Sequence, residues 1–169
     1  MKLSADLDKI YITSDTHGFH KNITRGTSVW TQGDNVMQTR DFDTPELMTE
    51  YMVDRFNSII PKDGILFHLG DFSFAGEANV PRLRSMLNVE TIHFIKGNHD
   101  CFDSETEFLT DKGWFHIHGH QHLQGELRFG NGKKFDCGVD GNNLEPYKLT
   151  DLIDLLKDRQ FVSHYDHHA

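Results

Sequence analysis

Features that would place a protein in a membrane or outside the cell are scarce in this sequence. No apolar run approaches the roughly 20 residues that a helix needs to cross a bilayer, and the first residues lack the apolar stretch of a signal peptide. Of 169 residues only two are cysteines, Cys101 and Cys137, and neither has the CxxC spacing of a metal site. We therefore expect a cytoplasmic protein with reduced thiols and no membrane contact.

Positive charge is also in short supply. The chain has 17 Lys and Arg residues against 26 Asp and Glu residues, a net charge of −9. A nucleic-acid-binding protein normally carries a basic patch that replaces the counterions of the phosphate backbone. The balance therefore predicts no stable nucleic-acid binding, although bound divalent cations would reverse the sign of the charge locally. The length favours a single domain over residues 1–169.

The order of apolar segments predicts the fold class. Short apolar runs predict strands, and 3.6-residue periodicity predicts helices, the first beginning at Thr44-Pro45. The strands are predicted at 10–13, 65–69, 92–95, 114–118 and 160–163, and the other helices around 80–87 and 149–156. Residues 24–43 are expected to form a long loop, and Asn131-Gly132 a hairpin turn. Alternating elements followed by strands predict an α/β fold, an α/β/β/α sandwich of two packed mixed sheets flanked by helices.

Polar clusters follow four of the predicted strands. The clusters are Asp15-Thr16-His17, Gly70-Asp71, Gly97-Asn98-His99-Asp100 and Gly119-His120-Gln121-His122. Each alone fits an ordinary turn, but ligands in α/β sheets bind beyond the carboxyl ends of strands, so we expect the four to converge. Carboxylates and imidazoles packed together are costly without a compensating charge. A mixed oxygen and nitrogen donor set suits Zn, Mn, Fe, Co or Ni better than Mg or Ca.

These clusters resemble the motifs of the calcineurin-like metallophosphoesterase superfamily, particularly its small bacterial and phage members. The family pattern is DxH, GD, GNH[DE], a histidine and GHxH, and the resemblance covers roughly residues 9–140. It implies two divalent metal ions (Mn, Fe, Zn, Ni or Co) bridged by Asp71. One would be bound by Asp15, His17, Asp71 and His122, the other by Asp71, Asn98, His120 and one more histidine.

The resemblance also implies catalytic residues. His99 would face the substrate, where it steadies the developing charge or protonates the leaving oxygen, and Asp100 would fix its orientation. His20 and Arg40 are candidate substrate-binding residues, since His20 follows the first cluster and arginine suits phosphate through its planar donor fork. The alternative for both is a surface position without a role.

The histidine between GNH[DE] and GHxH has no clear counterpart, because residues 101–118 are too few for the extra strand. His116 and His118 lie on the strand that delivers His120 and are weaker candidates. The sequence Ser163-His164-Tyr165 is similar to the family's motif at this ligand. The similarity predicts a permuted order of strands, in which the C-terminal strand supplies His164 as the missing ligand. The alternative is a polar tail. His68 and His93, inside apolar strands, are expected to be core histidines.

The sequence thus predicts a dinuclear metal-dependent phosphohydrolase that acts on a small phosphodiester or nucleotide. A phosphomonoesterase or protein phosphatase is the nearest alternative. The other functional class is a non-catalytic scaffold with the same fold. The absence of the family's histidine between GNH[DE] and GHxH favours a scaffold, whereas the presence of the other metal-ligand motifs argues against it. The native metal, the physiological substrate and the oligomeric state do not follow from the sequence.

Overall fold

A computed structural model describes residues 6–26, 29–32, 34–74, 76–95, 97, 115–123, 125–130 and 132–159, with the backbone alone for 29–32 and 35–37. The helices are α1 (Pro45–Ile59), α2 (Asn79–Met86) and α3 (Leu149–Leu156). The strands are β1 (Ile10–Thr13), β2 (Val29–Gln32), β3 (Asn35–Gln38), β4 (Ile65–His68), β5 (Thr91–Phe94), β6 (His116–His118), β7 (Lys134–Asp136) and β8 (Tyr147–Lys148).

The main sheet has the order β5-β4-β1-β8. Strands β1, β4 and β5 are parallel, and β8 runs antiparallel to β1. Helix α1 lies between β1 and β4 along the chain, and α2 between β4 and β5, as parallel strands require a crossover. The carboxyl ends of the three parallel strands therefore meet at one edge, where the chain continues into the polar clusters.

A second, parallel sheet pairs β6 with β7. It is joined to the main sheet by a bridge between Ser14 and Gly138 and by the Val139 N–H, which donates to the Ser14 carbonyl over 3.2 Å. The α/β class with two sheets is confirmed. The second sheet is parallel rather than mixed within the described ranges.

Apolar side chains of the main sheet alternate between two cores, as the pleat of a strand dictates. Tyr11 and Leu66 pack in the core that α1 and α2 cover, whereas Ile12 and Phe67 pack with Phe135 of the second sheet. The core between the sheets also receives apolar side chains of α3. The sheets are thus held face to face by one of the two cores.

Helix α1 begins as its sequence predicts. The Thr44 hydroxyl accepts a hydrogen bond from the Leu47 N–H over 3.2 Å, and Pro45 is the first helical residue. Two apolar side chains of this helix, Leu47 and Tyr51, are nevertheless exposed by 49% and 40%. The buried residues of this helix are Met48, Thr49, Met52, Val53 and Phe56.

Two other local predictions are corrected. Residues 24–43 contain the antiparallel hairpin β2–β3 rather than an unbroken loop. The expected hairpin around Gly132 is reduced, among the described residues, to an antiparallel bridge between Phe129 and Phe135, because Gly125–Arg128 form a 3₁₀ turn and β7 pairs with β6. The strand predicted at 160–163 lies outside the described residues. In the part of the chain described, no helix has both the length and the apolar character needed to cross a membrane.

Candidate metal centre

The loops that follow β1 and β4 run side by side. The Asp15 N–H donates to the Gly70 carbonyl over 3.0 Å, and the His17 N–H donates to the Asp71 carbonyl over 2.9 Å. These backbone hydrogen bonds extend the pairing of the two parallel strands beyond their ends. They bring together the first and second polar clusters, as the sequence predicts.

The fourth cluster reaches the same place from the second sheet. The His120 N–H donates to Asp15 Oδ2 over 2.8 Å, and Ser14 Oγ donates to the same oxygen over 2.7 Å. Ligand atoms of Asp15, His17 and His122 all lie within 4.8 Å of one another, close enough to share one cation. The Nε2 atoms of His17 and His122 are 3.3 Å apart.

Asp71 lies between two of the predicted histidine ligands. Its Oδ2 atom is 3.9 Å from His17 Nε2 and 4.0 Å from His120 Nδ1. The Asp71 carboxylate is buried, whereas the His120 side chain is 69% exposed. The Asp71 carboxylate thus lies close to a buried imidazole and to a solvent-exposed one.

The predicted ligands share an unusual backbone conformation. Non-glycine residues rarely adopt positive φ. This backbone conformation costs about 1–3 kcal/mol per residue, and residues that adopt it concentrate at functional sites. Every predicted metal ligand within the described residues has it: Asp15 (57°), His17 (47°), Asp71 (56°), His120 (79°) and His122 (48°). The surrounding structure therefore holds five donor residues in this conformation, which three other described residues share: Phe19, Asn143 and Leu144.

Two glycines of the clusters leave no space for a side chain. A Cβ atom on Gly119 would overlap Ser14 Oγ and lie 2.7 Å from Asp15 Oδ2. A Cβ atom on Gly97 would lie 2.7 Å from the carboxyl carbon of Asp71. Glycine is thus required where the third and fourth clusters approach the carboxylates of the first and second.

The protonation of His17 suits a ligand. Burial, assisted by nearby His122 and Arg40, lowers the pKa of His17 to about 3. This imidazole therefore stays neutral at physiological pH and keeps a lone pair available. Burial raises the pKa of Asp15, although the hydrogen bonds from Ser14 and His120 counteract part of that effect.

A buried carboxylate that the sequence does not predict, Asp140, is hydrogen-bonded to His122. Asp140 Oδ2 lies 2.6 Å from His122 Nδ1. Burial lowers the pKa of His122, but the hydrogen bond and negative charge of Asp140 outweigh it, so that the pKa is raised. Burial likewise opposes ionisation of Asp140, yet the Arg40 guanidinium and His122 hold its pKa well below the usual range.

Arg40 is not placed to bind substrate, so that prediction is corrected. Its side chain is fully buried and donates from Nε and Nη2 to the Asp140 carboxylate over 2.6 and 3.0 Å. Further hydrogen bonds from Nη2 and Nη1 reach the carbonyls of Asp15 (2.8 Å) and Thr16 (3.2 Å). Arg40 instead fastens the loop after β1 to the segment that carries Asp140.

The other predicted site residues have different outcomes. His20 is half-buried, stacks on Phe74 with ring centroids 3.7 Å apart, and lies 5.7 Å from the His17 ring, so its substrate-binding role stays a prediction. His118 Nδ1 lies 3.2 Å from the carbonyl of Gly119. The remaining four, outside the described residues, are Asn98, His99, Asp100 and His164.

His68 is the core histidine that the sequence predicts. It is fully buried, and its Nε2 atom lies 2.9 Å from Thr16 Oγ1. Because the Thr16 hydroxyl donates its proton to the Phe72 carbonyl over 2.7 Å, His68 Nε2 must be the donor in this pair. His93, by contrast, is only half-buried and stacks on Phe67 at 4.8 Å.

Comparison with known proteins gives relatives without an assigned activity. No protein-family model matches the sequence. The chain is 28% identical over 179 aligned positions to the uncharacterized protein MJ1445 of Methanocaldococcus jannaschii, covering 91% of this chain and 94% of that protein. The crystal structure of a protein of unknown function from Aquifex aeolicus, AQ665, is similar with a TM-score of 0.50 at 16% identity, covering 86% of this chain and 98% of that one. This second likeness concerns the fold alone.

Proposed function

We propose that this protein is a metal-dependent phosphohydrolase with a dinuclear centre. The observation that carries the proposal is the convergence of Asp15, His17 and His122 within 4.8 Å, next to Asp71. These residues come from three separate segments, and all adopt the strained left-handed backbone. Backbone strain of this kind clusters at functional sites.

The donor set fits a divalent transition metal. His17 is buried and neutral, and Asp15 and Asp71 are buried carboxylates. Both hydrogen bonds to the Asp15 carboxylate end on Oδ2, which favours Oδ1 as its cation-binding oxygen. Two carboxylates with imidazole nitrogens suit Mn, Fe, Co, Ni or Zn.

The two positions would be divided as the resemblance implies. The first would use Asp15, His17, Asp71 and His122, and the second Asp71 and His120 together with Asn98 and His164. When bound, two such cations would polarise phosphate oxygens and lower the pKa of a water molecule toward neutrality. The 69% exposure of His120 supports access of substrate from that side.

The chain's own residues would bind and orient the phosphate ester. His20, stacked on Phe74 and 5.7 Å from the His17 ring, would contact a substrate group. His99 would donate a proton to the leaving oxygen, with Asp100 fixing its orientation. The net charge of −9 favours a small phosphodiester or nucleotide over a nucleic-acid polymer.

Hydrolysis of chromogenic phosphate esters tests the proposal. The metal-free protein, supplied separately with Mn²⁺, Ni²⁺ or Zn²⁺, should hydrolyse a phosphodiester faster than a monoester. Asp71→Asn should abolish turnover, whereas Asp63→Asn, at an exposed residue paired with Lys9, should not. A monoester preference would favour a phosphomonoesterase, and metal binding without turnover of any ester would favour a scaffold.

A further inference from the structure

We propose that Asp140, held by Arg40, is the positioning residue of this metal centre. It would fix His122 with Nδ1 protonated and Nε2 directed at Asp15 and His17. The inference rests on the proposed metal site and names a role in it for two buried charged residues. Neither residue is a predicted metal ligand.

The first step is the geometry of His122. Its Nδ1 atom lies 2.6 Å from Asp140 Oδ2, and an ionised carboxylate can only accept a hydrogen bond. His122 Nδ1 must therefore be the donor. In the neutral ring the lone pair is then on Nε2, the atom that lies 3.3 Å from His17 Nε2. A carboxylate on the far nitrogen of a metal-binding histidine fixes the tautomer and the ring orientation and raises the basicity of the ligand.

The second step is the way Asp140 itself is held. Arg40 binds both oxygens of the Asp140 carboxylate in a bidentate fork, so the carboxylate cannot rotate away from His122. The same guanidinium donates to the carbonyls of Asp15 and Thr16, in the segment that carries the first two ligands. One buried side chain therefore connects the segment of Asp15 and His17 to the residue that orients His122.

The third step is the route by which Asp140 reaches the site. It belongs to a 3₁₀ turn, Val139–Asn142, that begins just after β7. The Val139 N–H donates to the Ser14 carbonyl over 3.2 Å, which anchors the turn beside the end of β1. The Thr39 hydroxyl donates to the Asp140 carbonyl over 2.7 Å and anchors it on the other side. The junction between the two sheets thus determines where this carboxylate lies.

A purely structural ion pair is the competing explanation, and the two make different predictions. Replacing a buried ion pair by apolar side chains of similar volume is often neutral or stabilising. If the pair only supports the fold, the double variant Arg40→Met/Asp140→Leu should bind metal like the wild type. If the pair positions His122, the double variant should fold but bind metal more weakly than the wild type.

The experiment combines Mn²⁺ titration calorimetry with nitrogen-15 NMR of the histidine rings, using the full chain. Asp140→Asn keeps the shape of the side chain, so we expect a folded protein with about 10- to 100-fold weaker Mn²⁺ affinity. The NMR spectrum of the metal-free protein, at mildly alkaline pH, should show His122 protonated at Nδ1 in the wild type and no longer uniformly so in Asp140→Asn. The double variant Arg40→Met/Asp140→Leu should lose as much Mn²⁺ affinity as Asp140→Asn does.

Asn57→Ala is the matched control for a general loss of stability. Asn57 joins α1 to the backbone of Met86 and Asn88, on the opposite side of the main sheet from the second sheet, and this variant should retain wild-type Mn²⁺ affinity. Wild-type affinity together with an unchanged His122 tautomer in Asp140→Asn would overturn the inference. Failure of the wild type to bind Mn²⁺ would instead reject the proposed function, while the tautomer in the metal-free protein still decides whether Asp140 positions His122.

Discussion

The Nε2 atoms of His17 and His122 face each other over 3.3 Å, with their rings inclined by only 12°. Since His122 Nδ1 is bonded to Asp140, neutral His122 presents a lone pair to His17. Two imidazole lone pairs at this distance repel unless a proton or a cation lies between them. A proton on His17 Nε2 would make this contact a hydrogen bond, and under the proposed function a cation bound by both nitrogens and by Asp15 would take its place.

Removal of His122 should therefore weaken metal binding severely. We expect His122→Ala to lose more Mn²⁺ affinity than the roughly 10- to 100-fold typical of a residue that only supports a ligand. His93→Ala, at a half-buried histidine on strand β5, should bind Mn²⁺ like the wild type. Titration calorimetry on the metal-free proteins measures both. Equal affinities for the two variants would exclude His122 as a ligand.

A methyl group at residue 119 should disrupt the centre. The Cβ of Gly119→Ala would overlap Ser14 Oγ and crowd the Asp15 carboxylate, so both stability and Mn²⁺ affinity should fall. Gly76→Ala is the control, because Gly76 has φ of +108° and open space around it. That variant should lose stability through backbone strain alone and keep its Mn²⁺ affinity.

Thermal unfolding and Mn²⁺ titration of both glycine variants separate the two effects. If Gly119→Ala binds Mn²⁺ as tightly as the wild type, the approach of the fourth cluster to Asp15 has no role in metal binding.

Much of the site could be predicted from the sequence because its signals are local. Short apolar strands that end in glycine and polar donors predict both the parallel sheet and the edge at which Asp15 and Asp71 meet. Thr44-Pro45 likewise predicts the start of α1 from the chemistry of a helix N-terminus. In each case neighbouring residues carry the whole signal.

The parts that could not be predicted depend on contacts distant in sequence. Arg40 and Asp140 are 100 residues apart, and each alone has the pattern of a surface charge, so their pairing and burial have no local signal. Strands β2 and β3 each contain two adjacent apolar residues rather than the alternation of apolar and polar residues that indicates a strand. The ligand role of His164 stays a prediction, since this residue lies outside the described part of the chain.

Stability should depend on pH through His68. Burial lowers the pKa of His68 from 6.5 to about 3 in the folded protein. Below pH 6.5 the unfolded chain therefore takes up a proton that the folded protein does not, so the free energy of unfolding falls as pH decreases from about 6.5 to about 3. The contribution of one histidine is about 1.4 kcal/mol per pH unit.

His68→Gln should reduce this slope by that amount, because the amide cannot take up the proton. Urea unfolding of wild type and variant at matched pH values measures the difference between their free energies of unfolding. The contributions of the other titrating groups cancel in this difference. Parallel slopes across the window would contradict the assignment of His68 as a neutral core residue.

The N-terminus of α1 offers a test of local stability. Thr44→Ala removes the hydroxyl that accepts the Leu47 N–H and should lower the free energy of unfolding by about 1 kcal/mol. Thr44→Ser keeps an acceptor oxygen and should lose much less. Urea denaturation measures both, and equal losses would mean that the capping hydrogen bond contributes little.

A crystal of the Mn²⁺-loaded protein, with anomalous diffraction recorded at the manganese edge, tests the central claim most directly. We expect two peaks: one touching Asp15, His17 and His122, the other touching His120, with Asp71 in contact with both. No anomalous density among these side chains in crystals saturated with Mn²⁺ would contradict the account.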